Sequence, residues 1–98
     1  MTPSVAIVIL NFNGKHYLEK FLPNVLEHSA GYDIWVADNA STDQSMDWLR
    51  ENHPNVKTLS ISENRGYAGG YNAALKQIKS KYYILLNSDI EVGLILVV

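Results

Sequence analysis

Apolar runs alternate with amphipathic segments along the whole chain. Residues 4–10 (SVAIVIL) form an unbroken aliphatic and β-branched run, which is typical of a strand buried on both faces of a parallel sheet. Shorter runs at 33–37, 56–61 and 82–86 have the length and composition of further strands. Polar or glycine-containing stretches bound each run, so the pattern predicts strands separated by connections.

The segments between these runs have the spacing of helices. Apolar residues recur at intervals of three and four over residues 17–26, which predicts an amphipathic helix that Pro23 should kink or split. Ser41-Thr42-Asp43-Gln44 has the S-x-x-Q form of a capping box, so Ser41, Thr42 and Asp43 are interpreted as capping residues rather than ligands. A glycine-rich turn at 64–70 (NRGYAGG) leads into a third predicted helix, with its inward positions at Tyr71, Ala74, Leu75 and Ile78.

Strands that alternate with helices at this spacing predict right-handed crossovers and a mostly parallel sheet. The expected fold class is α/β, a three-layer α/β/α Rossmann-like arrangement. No linker interrupts the pattern, so residues 1–98 are interpreted as a single domain, open at its C-terminal edge.

Composition narrows the class of protein. With 47% hydrophobic residues in 98, the chain has enough apolar material for a core, and disorder is not expected. A net charge of −2 and a pI near 5.8 provide no basic field, so no nucleic-acid partner is expected. The first apolar run ends at Asn11, too early for a secretory signal. The expected location is cytoplasmic, including a peripheral position at the inner face of the membrane.

Polar side chains follow every predicted strand, at the edge where open parallel sheets bind their ligands. Together they would supply amides, carboxylates and one guanidinium to a single rim. They are Asn11, Asn13, Asp38, Asn39, Asn64, Arg65, Asp89 and Glu91.

Several of these residues have a structural explanation as well as a functional one. Asp38 could accept an N–H from a base or a ribose hydroxyl, or it could form a turn with the segment that begins at Ser41. Arg65 could pair with a phosphate or lie in solvent. The glycines of 64–70 could admit a ligand or pack a helix tightly against the sheet. This loop has neither the G-x-G-x-x-G spacing nor a P-loop lysine, which disfavours both dinucleotide and P-loop sites.

Asp89-Ile90-Glu91 is the most informative short segment. In an extended chain, residues two apart point to the same side, so the two carboxylates would lie side by side and repel each other. A hard divalent cation such as Mg²⁺ or Mn²⁺, shared with a diphosphate, would relieve that repulsion. Two solvated acids at a strand end remain the alternative.

Four segments taken together resemble family-2 glycosyltransferases of the GT-A fold, in particular the rhamnosyltransferase-like branch of bacterial polysaccharide assembly. The matching segments are N-F-N-G, A-D-N-A-S-T-D, E-N-R-G-Y-A-G-G-Y-N-A-A-L and Y-I-L-L-N-S-D-I-E-V, in this order. The resemblance implies a nucleotide-diphosphate sugar as donor and a glycan or lipid-linked acceptor. It also implies inversion by a single in-line displacement, in which a carboxylate deprotonates the acceptor hydroxyl.

By position, the resemblance implies a nucleotide-binding role for the following set: Asn11, Asn13, Asp38, Asn39, Asn64, Arg65, Gly66 and Asp89. Asp38 would contact the base, and Asp89 with Glu91 would take the places of the metal-binding D-x-D pair. Glu91 departs from the usual second aspartate, which weakens its assignment as a direct metal ligand relative to Asp89.

The family's general base comes from an acceptor half that has no counterpart in these residues. The chain is therefore expected to be the N-terminal, donor-binding part of the domain, with little or no transferase activity alone. Its aliphatic tail, residues 93–98, is predicted to pair as a strand with another copy, giving a homo-oligomer.

Two other functions remain open on the sequence. A non-catalytic nucleotide-binding or self-associating domain would need the same strand-end residues but no base. A nucleotidyltransferase would also use an acid pair, but such enzymes begin with a basic glycine-rich loop, and Asn11-Phe12-Asn13-Gly14-Lys15 has one glycine and one lysine.

Overall fold

A computed structural model describes residues 4–29 and 31–87 of the chain. Strands and helices alternate throughout this part. They are β1 (Val5–Asn11), α1 (Lys15–His28), β2 (Asp33–Asn39), α2 (Ser45–Asn52), β3 (Lys57–Ile61), α3 (Gly66–Leu75) and β4 (Tyr82–Asn87).

The strands form one sheet in the order β3-β2-β1-β4, and each pair of neighbours is parallel. β1 lies inside the sheet, where Ile7 and Val8 have no exposed surface. This explains why the first run is apolar at every position rather than at alternate ones. The predicted α/β class with a parallel sheet is confirmed.

The helices cover both faces of the sheet. One face packs against α1 and α2 through a cluster that includes Ile7, Leu18, Leu22, Val36, Leu49 and Ile84. The other face packs against α3 and the segment after it, through Ala6, Val8, Leu10, Ala37, Leu59, Ala74 and Ile78. The result is the predicted three-layer arrangement.

The strand order places a crevice beside β1. The chain runs from β1 through β2 to β3 with α1 and α2 on one face, then returns along α3 on the other face to place β4 on the free side of β1. The connections therefore diverge to opposite faces at β1 and β4. Ligands of open α/β sheets bind outside the carboxyl ends of the strands at such a switch point.

The predicted helix boundaries were partly wrong. α1 continues without a break from Lys15 to His28 with Pro23 inside it, so the predicted split does not occur. Pro23 is exposed, so its ring lies on the solvent face, and packing of the opposite face holds the helix together.

The predicted start of the second helix, with a capping box at Ser41, was also wrong. α2 begins at Ser45, and its N-cap residue, Gln44, makes no side-chain capping bond.

The third helix also differs from its predicted bounds. α3 begins at Gly66 and ends at Leu75, so Gly69 and Gly70 lie inside the helix rather than in the turn. Ile78, predicted as an inward position of this helix, is buried beyond its end.

No helix among residues 4–29 and 31–87 is both long and apolar enough to cross a bilayer.

Candidate functional site

A cavity of about 320 Å³ lies at the carboxyl ends of the strands. Its lining contains three side-chain amides and three aromatic rings that are half exposed or exposed. The lining is therefore partly polar and partly apolar, with flat ring faces. The lining residues are Leu10, Phe12, Tyr17, Asn39, Asn64, Gly66, Tyr67 and Asn87. Such a lining suits a ligand with flat faces and several hydrogen-bonding groups.

A larger depression of about 530 Å³ lies at the opposite end of the sheet, where its lining includes Ser29, Tyr32 and Asn55. Volume alone would favour this second depression. We assign the functional site to the smaller cavity because it occupies the switch point of the sheet and borders the network of buried polar side chains.

That network is centred on Asp38, which is 6% exposed. Its Oδ1 accepts hydrogen bonds from Asn11 Nδ2 at 3.1 Å and from Ser41 Oγ at 2.6 Å. Its Oδ2 accepts the backbone N–H of Ser41 at 3.0 Å. The turn with Ser41, one of the two explanations for this aspartate, is therefore present, and a contact between Asp38 and a base stays a prediction.

Asn11 has no exposed surface. Its Nδ2 donates to Asp38 Oδ1 and, at 3.3 Å, to Ser41 Oγ, but its Oδ1 has no hydrogen-bond partner among the described residues. A buried acceptor without a partner is costly in a folded protein. It is the kind of group that a ligand or a local rearrangement satisfies.

The loops after β1 and β2 are tied together through Asn13. Its Oδ1 accepts the backbone N–H groups of Thr42 at 2.7 Å and Asp43 at 3.1 Å, and its own N–H donates to Ser41 Oγ at 2.8 Å. Asn13 adopts a left-handed conformation, φ 49°, which asparagine tolerates better than most residues. Ser41 and Thr42 thus join two loops instead of capping a helix, whereas Asp43 also accepts the N–H of Ser45, the first residue of α2.

Asp43 completes this junction. Its Oδ2 accepts the backbone N–H of Lys15 at 3.1 Å, and its Oδ1 accepts hydrogen bonds from the N–H and the hydroxyl of Ser45. Partial burial by itself raises the pKa of Asp43, but the bonds from Ser45 and Lys15 and the charge of Lys15 outweigh it, so the pKa lies below its usual value.

Ala40 supplies the turn between β2 and this junction. It has a φ of 63°, in the left-handed region that is unfavourable for residues with a Cβ. Local backbone strain persists where the surrounding structure holds it. Here the hydrogen bonds from Ser41 to Asp38 span Ala40 and hold the turn in place.

Asn39 connects β2 to the glycine-rich loop. Its Oδ1 accepts the backbone N–H of Arg65 at 3.0 Å, and its Nδ2 donates to Asn64 Oδ1 at 3.2 Å and to the carbonyl oxygen of Gly66 at 3.1 Å. The side chain of Arg65 is half exposed and pairs with Glu63 at 3.5 Å, and a contact between Arg65 and a phosphate stays a prediction.

The glycines of the loop have different roles. Gly66 adopts a φ of 69°, which only glycine adopts without strain. Gly70 packs against the sheet, since a Cβ there would lie 2.9 Å from Leu10 Cδ1 and 3.0 Å from Asn39 Nδ2. Both explanations considered for the glycine-rich segment, turn formation and close packing, therefore apply, each to a different residue.

Tyr71 fixes the end of β4. Its hydroxyl lies 2.6 Å from the carbonyl oxygen of Leu86 and 2.9 Å from Asn87 Oδ1. Asn87 lines the cavity, so α3 positions both the glycine-rich wall and the strand end that faces it.

The structure places the predicted site residues in two groups. Asn39, Asn64 and Gly66 line the cavity, whereas Asn11, Asn13, Asp38 and Arg65 lie outside its lining. Asp89 and Glu91 lie outside the described residues. Among residues 4–29 and 31–87, no group of three or more histidine, aspartate or glutamate side chains could hold a metal ion.

Sequence reasoning missed five residues of this region: Phe12, Tyr17, Ser41, Tyr67 and Asn87. Asn87 ends a predicted strand in the same way as Asn11, so the rule that selected Asn11 would have selected it. Phe12 and Tyr67 adjoin predicted ligands, but an aromatic residue beside a strand end gives no sign of whether its ring faces a cavity.

The profile of the family described as "Glycosyl transferase family 2" matches residues 6–93. The chain belongs to this family. The match covers every described strand and helix except the first residue of β1, so the fold and the strand-end motifs are family-2 features.

Curated relatives include a rhamnosyltransferase and a teichoic acid polymerase. The chain is 29% identical over 79 residues to an N-acetylglucosaminyl-diphospho-decaprenol L-rhamnosyltransferase of Mycobacterium tuberculosis, covering 80% of this chain and 26% of the relative. It is 23% identical over 94 residues to a teichoic acid poly(glycerol phosphate) polymerase of Staphylococcus epidermidis, covering 91% of this chain and 13% of the relative. The family-2 chain thus spans about a quarter of these relatives or less.

Solved structures share the fold. The mannosyltransferase PcManGT of Pyrobaculum calidifontis, in complex with GDP-Man and Mn²⁺, superposes with a TM-score of 0.79 at 24% identity, covering 96% of this chain and 30% of that one. S. aureus TarS in complex with UDP-GlcNAc gives a TM-score of 0.72 at 24% identity, covering 88% of this chain and 26% of that one.

Proposed function

We propose that this chain is the N-terminal, donor-binding part of an inverting glycosyltransferase that transfers a sugar from a nucleotide-diphosphate sugar to an acceptor hydroxyl. The observation that carries the proposal is the cavity at the switch point of a family-2 sheet, lined by the amides of Asn39, Asn64 and Asn87. The solved neighbours bound to GDP-Man and UDP-GlcNAc support this class of donor.

The lining of the cavity fits the parts of such a donor. The rings of Phe12 and Tyr67, 48% and 69% exposed, offer flat apolar faces on which a base or a sugar can stack. α3 begins at Gly66 on the same lining, so the positive end of its dipole favours an anionic diphosphate. Asn11 lies outside this lining, and its Nδ2 donates to Asp38 Oδ1 and Ser41 Oγ, which holds both side chains in place for the base.

We propose that Asp89 and Glu91 hold a divalent cation, Mg²⁺ or Mn²⁺. When bound, this cation offsets the negative charge that develops on the departing diphosphate. β4 ends at Asn87 on the cavity lining, and Asp89 follows two residues later in the sequence. Hard carboxylate oxygens are the donors that these cations prefer, and PcManGT is a neighbour with Mn²⁺.

For the whole enzyme we propose a glycan or lipid-linked acceptor and a role in cell-surface polysaccharide synthesis. The names of the rhamnosyltransferase and teichoic acid relatives support it. No residue of this chain is assigned as general base, so the chain alone should bind the donor nucleotide without turnover. Turnover by the isolated chain with any sugar nucleotide would contradict the proposal that this chain binds the donor but does not catalyse transfer.

Equilibrium titration of UDP, dTDP and GDP, each with and without Mn²⁺, tests the donor class by calorimetry. The proposal requires diphosphate binding that Mn²⁺ strengthens, and loss of that strengthening in Asp89→Ala. The control is Asp33→Ala, an exposed acid at the opposite end of the sheet, which should bind like wild type. Binding of the corresponding triphosphates, titrated in parallel, without binding of the diphosphates would favour a nucleotidyltransferase, and binding of neither would reject a nucleotide site.

A further inference from the structure

We infer that Asn39 is a positioning residue, which shapes the donor cavity by holding the Asn64–Gly66 turn against β2 instead of contacting the ligand with its own donors. This inference deepens the proposed function and rests on it. It differs from the nucleotide-contact role that the sequence suggested for Asn39.

The hydrogen-bonding capacity of Asn39 is almost fully used inside the protein. A side-chain amide has two N–H donors, and those of Asn39 go to Asn64 Oδ1 at 3.2 Å and to the Gly66 carbonyl oxygen at 3.1 Å. Its oxygen accepts the N–H of Arg65 at 3.0 Å. A ligand acceptor could recruit Asn39 Nδ2 only by releasing the loop.

The surroundings of Asn39 fix its amide in this orientation. The residue is 2% exposed, it pairs in register with Ile61 at the end of β3, and its Nδ2 lies directly beneath Gly70, where a Cβ would approach to 3.0 Å. β2, β3 and α3 therefore meet at this residue. Such a support is what keeps a binding group within the narrow range of productive positions.

The turn that Asn39 holds carries a wall of the cavity. Asn64 and Gly66 line it directly, and Tyr67 follows at the first turn of α3. Within the turn, Asn64 Oδ1 accepts the N–H of Gly66 at 2.8 Å, and Gly66 is in the left-handed region. Without Asn39, this exposed turn would lose three hydrogen bonds to β2, and the positions of Asn64 and Tyr67 would no longer be set by the sheet.

The test compares Asn39→Ala with Ser45→Ala in the 98-residue chain. Ser45 is also fully buried, but its side chain bonds to Asp43 and not to the 64–66 turn. Two quantities are measured: the exchange rate of the Arg65 and Gly66 amide hydrogens, and the affinity for the nucleoside diphosphate that wild type binds best. If Asn39→Ala does not fold, the isosteric Asn39→Asp replaces it, because it removes both donated bonds at constant volume.

We expect Asn39→Ala to accelerate Arg65 amide exchange and to weaken nucleotide binding by roughly tenfold or more, while Ser45→Ala does neither. Unchanged affinity with accelerated exchange, or equal losses in both variants, would overturn the positioning role. If wild type binds no nucleoside diphosphate, the proposed function fails. Amide exchange then still decides whether Asn39 orders the turn.

Discussion

Asn11 Nδ2 donates to Asp38 Oδ1 at 3.1 Å, and the two residues are direct partners in the β1–β2 register. Their pairing joins the last residue of the central strand to the strand beside it at the rim of the cavity. Both side chains are buried, so the bond is made away from water, where an unmatched partner is costly. The site is therefore organised by the protein's own polar groups before any ligand arrives.

Removing the carboxylate should show this dependence. Asp38→Ala leaves the amide of Asn11 and the N–H and hydroxyl of Ser41 without their acceptor, so we expect the free energy of unfolding to fall by about 2–3 kcal/mol. Urea denaturation measures it. Asp33→Ala, which removes an exposed ion pair from the start of the same strand, should cost about 1 kcal/mol or less; equal losses would contradict the role of the network.

Two tyrosines allow a matched comparison of stability with binding. Tyr71→Phe removes a hydroxyl that bonds to the Leu86 carbonyl and to Asn87, and Tyr83→Phe removes one that donates to the Ile78 carbonyl. Each should lower the unfolding free energy by about 1 kcal/mol. Only Tyr71→Phe should weaken nucleotide binding, since Asn87 lines the cavity; equal affinities in the two variants would count against a role for Asn87.

The close packing of α3 predicts a cost for added volume at Gly70. Gly70→Ala gains about 1 kcal/mol of helix propensity, but overpacking against Leu10 and Asn39 costs about 1–3 kcal/mol. We expect a net loss of about 1 kcal/mol in chemical denaturation. Shortening the opposing side chain in Leu10→Val should make the double variant less destabilised than the sum of the two; strict additivity would rule out the contact.

The junction at Asp43 predicts a pH dependence. The pKa of Asp43 lies below its usual value in the folded chain, so its charge contributes stability that is fully present above about pH 4, the usual pKa of an aspartate. That contribution is lost as pH falls further, through the folded-state pKa. Thermal unfolding should show that Asp43→Asn loses less stability than wild type between neutral and acidic pH, and parallel curves would contradict this.

The sequence was sufficient where one chemical preference dominated a segment. The continuous apolar run of β1 predicted a strand buried on both faces, and Ile7 and Val8 are fully buried. Polar residues after each strand predicted a single rim, and Asn11, Asp38, Asn39 and Asn64, which follow the first three strands, do converge there. The two acids after the fourth strand lie outside the described residues.

The sequence failed where tertiary contacts chose between local options. Ser41 has the spacing of a capping residue, yet its hydroxyl bonds to Asp38, across a turn that Ala40 makes possible. Pro23 does not split α1, because it lies on the exposed face of the helix while the opposite face packs into the core. The sequence also could not show that Asn39 borders the cavity whereas Asn11 lies outside its lining, because both residues end a strand in the same way.

Whether the cavity at the carboxyl ends of the strands binds the donor can be measured from amide chemical shifts in the ¹⁵N-labelled chain. The chain is titrated with a nucleoside diphosphate in the presence of Mg²⁺, which avoids the paramagnetic broadening that Mn²⁺ would cause. We expect shifts concentrated at Phe12, Asn39, Asn64, Tyr67 and Asn87, with Gly31, Tyr32 and Lys57 at the opposite depression unchanged. Shifts centred on the opposite depression, or spread over both ends of the sheet, would contradict this expectation.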